Sequence, residues 1–146
     1  MKPLYIILFA VIFILGALYY RSLPLVSKVR IRNTTITVDV AITDAQKQRG
    51  LGGRSSMAEN FGMLFPYDHT EQFEYWMRDM LFPLDFVWIN GKTVVDLSPN
   101  IPAPKQGEAP RRVKPKTAVD KVLELHAGSI ERIGIATGDA VLFLDR

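Results

Sequence analysis

Glu74, Trp76 and Arg78 stand at alternate positions, so on a strand they share one face. A flat aromatic between an acid and a guanidinium could stack on a sugar ring and hydrogen-bond its hydroxyls. The alternative sinks Trp76 into the core, because tryptophans are highly buried on average, and leaves Glu74 and Arg78 as a rim pair. Asp79, Asp85 and Glu124 supply carboxylates. Two such groups can run glycoside cleavage, and three can hold a hard cation. Pro83 fixes the backbone just before Asp85 and could aim that carboxylate. The structural alternative for Asp85 is to cap backbone N–H groups at the bend or to pair with Arg54, since a buried carboxylate and an arginine satisfy one another. Arg54 follows Gly52-Gly53, where the backbone can approach a partner closely. It could clamp a ligand carboxylate or phosphate, or tie a helix end to Asp85 or Glu124.

Other chemistries find little footing. The chain has no cysteine, which removes thiol nucleophiles and lipid attachment at a thiol. No Gly-x-Ser-x-Gly elbow is present, and Gly50-x-Gly52-Gly53 lacks the spacing and the lysine of a phosphate loop. His69 and His126 have no companion at metal-ligand spacing. No cofactor and no metal are therefore expected. The net charge of +3 shrinks to near balance once Lys2 and Arg21 are set aside, so nucleic acid is not an expected partner. One basic cluster remains, Lys105, Arg111, Arg112, Lys114 and Lys116. It reads as a solvated loop, or as a contact to an anionic membrane or wall polymer.

The elements that must hold these residues read mostly as strands. Ile36, Val38, Val40 and Ile42 alternate with Thr35, Thr37, Asp39 and Ala41, the pattern of a half-buried strand. A short helix follows, capped by Thr43 with Gln46 closing a capping box, and ended by Gly50 or the Gly52-Gly53 pair. Gly62 to Phe65 is a short apolar run closed by Pro66, and Phe73 to Met77 is a strand with Phe73, Tyr75 and Met77 on one face. Leu84–Ile89 and Thr93–Leu97 form a hairpin about an Asn90-Gly91 turn. Ser98 to Thr117 holds five of the nine prolines and reads as a stiffened loop. Ala118–Leu125 and Ala140–Leu144 complete the strands, with a single helical turn between them capped by Ser129. The sum is a mainly β fold of about seven strands with one or two short helices. A closed or partly closed barrel disposes of its edges best.

Ahead of this lies Leu4–Tyr20, apolar and free of charge. As a helix it would reach roughly 26 Å, near the lower limit for a bilayer span. Ala17-Leu18-Tyr19-Tyr20 is bulky where a cleavage site needs small residues, so an uncleaved transmembrane anchor over residues 1–25 is expected, with secretion after cleavage as the alternative. The export layout places residues 26–146, one globular unit, on the extracytoplasmic side of the cell membrane. Arg21, Lys28, Arg30 and Arg32 lean the other way by the positive-inside rule.

Several ordered motifs resemble the domain of unknown function 192 family. They are Gly50-Leu51 with Gly53-Arg54, Gly62-Met63-Leu64-Phe65, Tyr75-Trp76-Met77-Arg78-Asp79 and Pro83-Leu84-Asp85. Val87-Trp88-Ile89, Val122-Leu123-Glu124-Leu125 with Gly128, and Gly134-Ile135 with Gly138-Asp139 follow. The resemblance spans roughly residues 35 to 143. It implies a compact, mainly β unit, often exported, and no established activity. Where the family carries Phe, Lys, Asn and Met, this chain has Tyr75, Arg78, Asp79 and Gly52. Asp in place of Asn removes a donor, and Arg in place of Lys replaces a point charge with a planar fork.

The function is thus not written in the sequence. The leading expectation is a membrane-anchored extracytoplasmic unit that binds a small molecule or envelope glycan through Arg54, Trp76, Arg78, Asp79, Asp85 and Glu124. A hydrolase using Asp85 and Glu124 is one alternative, and a protein–protein interaction module of the envelope is the other. Enzymatic activity is left open, with the balance against it.

Overall fold

The computed structural model describes residues 9–14 and 25–144. Residues 9–14 are helical with exposed apolar side chains. Among the described residues no helix is long and apolar enough to cross a membrane. The rest of the Leu4–Tyr20 segment, where an anchor is expected, lies outside the described residues.

Nine strands and two short helices follow. The strands are β1 (Leu25–Ile31), β2 (Thr34–Val40), β3 (Phe61–Glu71), β4 (Tyr75–Trp76), β5 (Leu84–Asn90), β6 (Thr93–Ile101), β7 (Arg112–Val113), β8 (Val119–His126) and β9 (Val141–Leu144). Helix α1 is Asp44–Arg49 and α2 is Ser129–Ile133. Seven strands form one sheet in the order β6-β5-β8-β3-β2-β1-β9, while β4 and β7 make a separate two-stranded ribbon. Among the described residues only β2 and β3 pair in parallel. A parallel pair needs a crossover, and this one carries α1 and the glycine loop after it.

The sheet curls until its two edges approach. Thr93 at the start of β6 bridges Ala140 just before β9, and the Val94 N–H donates to the Asp139 carbonyl at 2.9 Å. The result is a partly closed barrel. Its concave side gathers aliphatic residues from every part of the curl, among them Val29, Val38, Val94, Leu123 and Val141, with Ile130 of α2 as a plug. A second core lies on the convex side over β3, β5 and β8. It is built of aromatics and methionines, including Phe65, Phe86, Trp88, Met63, Met77 and Met80. Because both faces are covered, β5 is buried at six consecutive positions, Leu84 to Ile89, with none of the polar alternation of a half-exposed strand.

Several expectations shift. The barrel is partly closed, one of the two forms expected, but β1 adds a strand at Leu25–Ile31, where the sequence pattern assigns none. The strand at Gly62–Phe65 continues through Pro66 to Glu71. Beyond Leu64 strand β2 no longer pairs with β3, so one side of β3 becomes an edge, where a proline's missing N–H is tolerated. The Phe73–Met77 strand shortens to two residues, and its partner β7 arises inside the expected proline loop. The hairpin turn moves by one residue: Asn90 pairs with Thr93, so Gly91 and Lys92 make the loop. Gly91 has φ of 60° and Lys92 does not share the positive region, the pattern of a turn with glycine at its first central position. The Thr43–Gln46 capping box forms as expected, with the Gln46 N–H donating to Thr43 Oγ1 at 3.2 Å.

Candidate functional site

Glu124 sits in the middle of β8, opposite Met63 of β3 and Phe86 of β5. Alternation sends it to the convex side with Val122, while Leu123 and Leu125 enter the barrel. On an open strand a glutamate there would face water. Here the crossover and the segment after β3 close over it, and only 5% of its surface remains accessible. No side chain or backbone N–H among the described residues hydrogen-bonds its carboxyl, and no buried polar side-chain atom lacks both a partner and access to open space. Its oxygens therefore reach a cleft. Burial pushes the Glu124 pKa up to about 8. At neutral pH the group is chiefly a neutral acid, able to donate a hydrogen bond.

The cleft has a volume of about 220 Å³ and lies between the end of α1 and the β4 segment. α1 brings Lys47 and Arg49 to it from its last turn. Gly50 ends the helix, and Gly52 lets the Arg78-Asp79 backbone pack close: a Cβ at Gly52 would lie 3.1 Å from the Arg49 carbonyl and 3.4 Å from that of Arg78. The Gly53 N–H donates to the Asp79 carbonyl at 2.8 Å, stitching the two loops together. Across the cleft, β4 pairs with β7, and the Met77 N–H adds a bond to the Arg111 carbonyl. Tyr75 points down, edge-on to Phe65 at 5.3 Å and to Phe86 and Trp88 at 5.8 Å. Its hydroxyl meets that of Tyr67 at 2.7 Å. Burial raises both tyrosine pKa values, so neither hydroxyl ionises near neutrality.

Trp76 points the other way and is 45% exposed. The Arg78 guanidinium lies 4.4 Å over its ring and that of Arg112 at 5.6 Å. Glu74 pairs with Arg112, not with Arg78. The shared face of Glu74, Trp76 and Arg78 is therefore present, but Trp76 is not core and the rim pair has a different cation.

Of the six residues expected at a site, the cleft brings together Trp76, Arg78 and Glu124. The other three lie elsewhere. Arg54 pairs with Asp39 at 2.7 Å, so the expected Arg54–Asp85 pair does not form. Asp85 is fully buried and accepts from the Asn100 N–H at 2.7 Å and the Ile130 N–H at 2.8 Å. It thereby caps α2, whose own cap residue Gly128 has no side chain to offer; Ser129, expected there, is the first helical residue. Asp79 is exposed at φ of 58°, a left-handed position that Asp and Asn tolerate better than most residues, and this explains its type without a chemical role. Asp85 faces Leu125 and Phe86 faces Glu124 across the β5–β8 ladder. Asp85 and Glu124 thus lie on opposite faces of the sheet, and the paired-carboxylate hydrolase expected of them has no geometry. Lys47, Arg49, Tyr67 and Tyr75 line the cleft and were not singled out by sequence. The capping box at Thr43 was the available signal for the two cations, because it fixes the register of α1. Among the described residues no group of three or more His, Cys, Asp or Glu is placed to hold a metal ion.

A family model, DUF192, described as an uncharacterized ACR, matches residues 27–143. Two solved structures are similar. One is a protein from Sinorhizobium meliloti 1021 described as a candidate transcription regulator, with a TM-score of 0.75 and 29% identity, covering 82% of this chain and 95% of the other. The second is a protein of unknown function from Novosphingobium aromaticivorans DSM 12444, with a TM-score of 0.72 and 24% identity, covering 80% and 84%. The second likeness shows the fold alone. No curated protein matches the chain.

Proposed function

The chain belongs to the DUF192 family, and from the site above we propose that it is a small-molecule-binding protein whose ligand enters the cleft between α1 and β4. The observation that carries this reading is Glu124: a buried acid with no hydrogen-bond partner among the described residues, whose oxygens reach a cleft. Leaving such a group unsatisfied costs about 1–3 kcal/mol, which a ligand or water that bonds it recovers. A small molecule fits better than a stacked glycan, because Arg78 already covers the Trp76 ring. Regulation of transcription, the description carried by the S. meliloti protein, gains no support from the basic loop. Its Arg112 is paired with Glu74 and its Lys116 lies 3.7 Å from Asp96.

Anchoring is part of the proposal. The uncharged Leu4–Tyr20 run supports a membrane tether with the β sheet on the extracytoplasmic side. Full-length protein should stay with the membrane fraction through a high-salt wash, and a full-size soluble product would contradict the tether. For binding, the test is a thermal-shift screen of the full-length protein against small polar metabolites and oligosaccharides. A ligand at 100 times its Kd should add about 2.7 kcal/mol. Arg78→Gln should cut the shift to roughly half, about 1.4 kcal/mol for a tenfold weaker Kd. Hits that survive Arg78→Gln and Glu124→Gln unchanged would place binding outside the cleft and overturn the reading.

A further inference from the structure

Resting on that reading, we infer that the cleft takes a small organic monoanion end-on, its charged group held at the mouth by Arg78, Arg49 and Lys47 and an uncharged acceptor at its inner end meeting the Glu124 carboxyl.

The charges along the cleft are unequal. Lys47, Arg49 and Arg78 line it as cations, and the acids are Glu74 and Glu124. Glu74 is already matched by Arg112. Lys47 and Arg49 have no carboxylate within ion-pair distance among the described residues, and the ammonium of Lys47 lies 4.1 Å over the Tyr67 ring. Arg78 has only a 3.6 Å contact to Asp79, both side chains being well exposed. Three cations gathered round one opening favour an anion. The guanidiniums add planar forks suited to a carboxylate.

Below the mouth the walls turn apolar, with Leu51, Met80 and Leu84 beside Tyr75. A second charge on the ligand would have to shed its water there at high cost, which limits the ligand to one charge. The volume of about 220 Å³ is room for roughly seven water-sized groups, so the molecule is short. At the floor Glu124 is the unsatisfied group, and its preferred state fixes what it asks for. The groups that face it are Tyr67 from β3, Tyr75 and Glu74 around β4, Arg78 after β4, and Lys47 and Arg49 from α1. β5 presents no titratable group there, only Leu84, Phe86 and Trp88. Burial keeps the carboxyl protonated up to about pH 8. Tyr67 and Tyr75 spend a hydrogen bond on each other. That bond uses one of the two tyrosine O–H groups, so the other tyrosine O–H and the acid O–H remain as donors at the inner end, and both suit an acceptor such as a carbonyl oxygen.

Four probes with the same five-carbon chain separate the requirements: 4-oxopentanoate, pentanoate without the carbonyl, pentan-2-one without the charge, and pentylammonium with the charge reversed. Glucose serves as the neutral sugar. Binding is followed by chemical-shift changes in the full-length protein. 4-Oxopentanoate should saturate shifts at Glu124, Tyr67 and Arg78. Pentanoate and pentan-2-one should each bind at least about tenfold more weakly, as expected for one lost charge-assisted or neutral hydrogen bond. Arg78→Gln should weaken 4-oxopentanoate by a similar factor. Its affinity should fall about tenfold from pH 7 to pH 9 in the native protein, as Glu124 ionises, and stay level in Glu124→Gln. Tighter binding of pentylammonium or glucose in the same cleft would overturn the monoanion and leave the ligand cleft standing. An unchanged affinity between pH 7 and pH 9 would overturn the inner contact. If no probe of any class moves the cleft resonances, both this inference and the binding function beneath it fall.

Discussion

Along β8, Leu123 and Leu125 turn to one side of the sheet and Val122 and Glu124 to the other, and the two sides differ in what covers them. The concave side is closed by the sheet's own curl, plugged by Ile130 of α2. Curvature brings strands against strands, and the residues that fill such a space are Val, Ile and Leu, which pack well on pleated surfaces. The convex side is covered by pieces: a six-residue helix, a glycine loop, a two-stranded ribbon and the loop at Met77–Phe82. Pieces fit less completely than a sheet folded on itself. Large aromatic rings and flexible methionines fill most of the space, and what remains is the cleft with Glu124 at its floor. One strand thus serves as both core and site, and the division between the two is a matter of which residues are odd and which are even.

The contrast breaks most easily on the concave side. Asp85→Ala should strand the Asn100 and Ile130 N–H groups at once and destabilise the protein by about 4 kcal/mol in urea melts, at about 1–3 kcal/mol for each lost partner. A loss under about 1 kcal/mol would mean that Asp85 is not the joint between the sheet and α2. Arg54→Ala combined with Asp85→Ala should be additive, because Arg54 pairs with Asp39 instead.

On the convex side the expected effect is a pH dependence. The folded pKa of Glu124 lies near 8, above its ordinary value of 4.5, so the native state keeps a proton that the unfolded chain has lost. Stability from this group is full below about pH 4.5 and falls as pH rises through 8. Between pH 5 and pH 8 the native protein should lose on the order of 3 kcal/mol relative to Glu124→Gln. Parallel pH profiles for the two proteins would remove the buried acid from the account.

Smaller effects sharpen the boundary. Gly91→Val places a β-branched residue at φ of 60° in the β5–β6 turn and should cost about 1–2 kcal/mol, while Lys92→Ala should leave the melt unchanged. Trp76→Ala should alter stability by less than about 0.5 kcal/mol, because the ring is half exposed on the far side of the ribbon from the core. A larger loss would make Trp76 a structural residue after all.

The legible parts of this molecule were local. The Thr43–Gln46 box, the alternation of β2, and the split of Phe73, Tyr75 and Met77 from Glu74, Trp76 and Arg78 depend on neighbours within a few residues. The hairpin was legible but its register was not, since Asn-Gly suits a turn with positive φ at both central residues and Gly-Lys one with positive φ at the first, and the β5–β6 irregularity at Trp88 and Ile89 accompanies the second. β1 alternates as clearly as β2, yet Lys28 and Arg30 read equally well as the charged flank of an apolar span. Asp85 and Glu124 were seen as a pair because both are acids near bends. Only the β5–β8 register, set by residues forty apart in sequence, shows that they face opposite ways. The burial of Glu124 comes from segments distant along the chain, and no window around it contains that information.

A protonated Glu124 forms the floor of an open cleft. The most direct test is a titration of the Glu124 side-chain carboxyl carbon by NMR in the full-length protein. A single transition near pH 8 is expected. A transition near the ordinary value of 4.5 would show a solvated carboxylate, and with it the neutral donor and the ligand chemistry built on it would be lost.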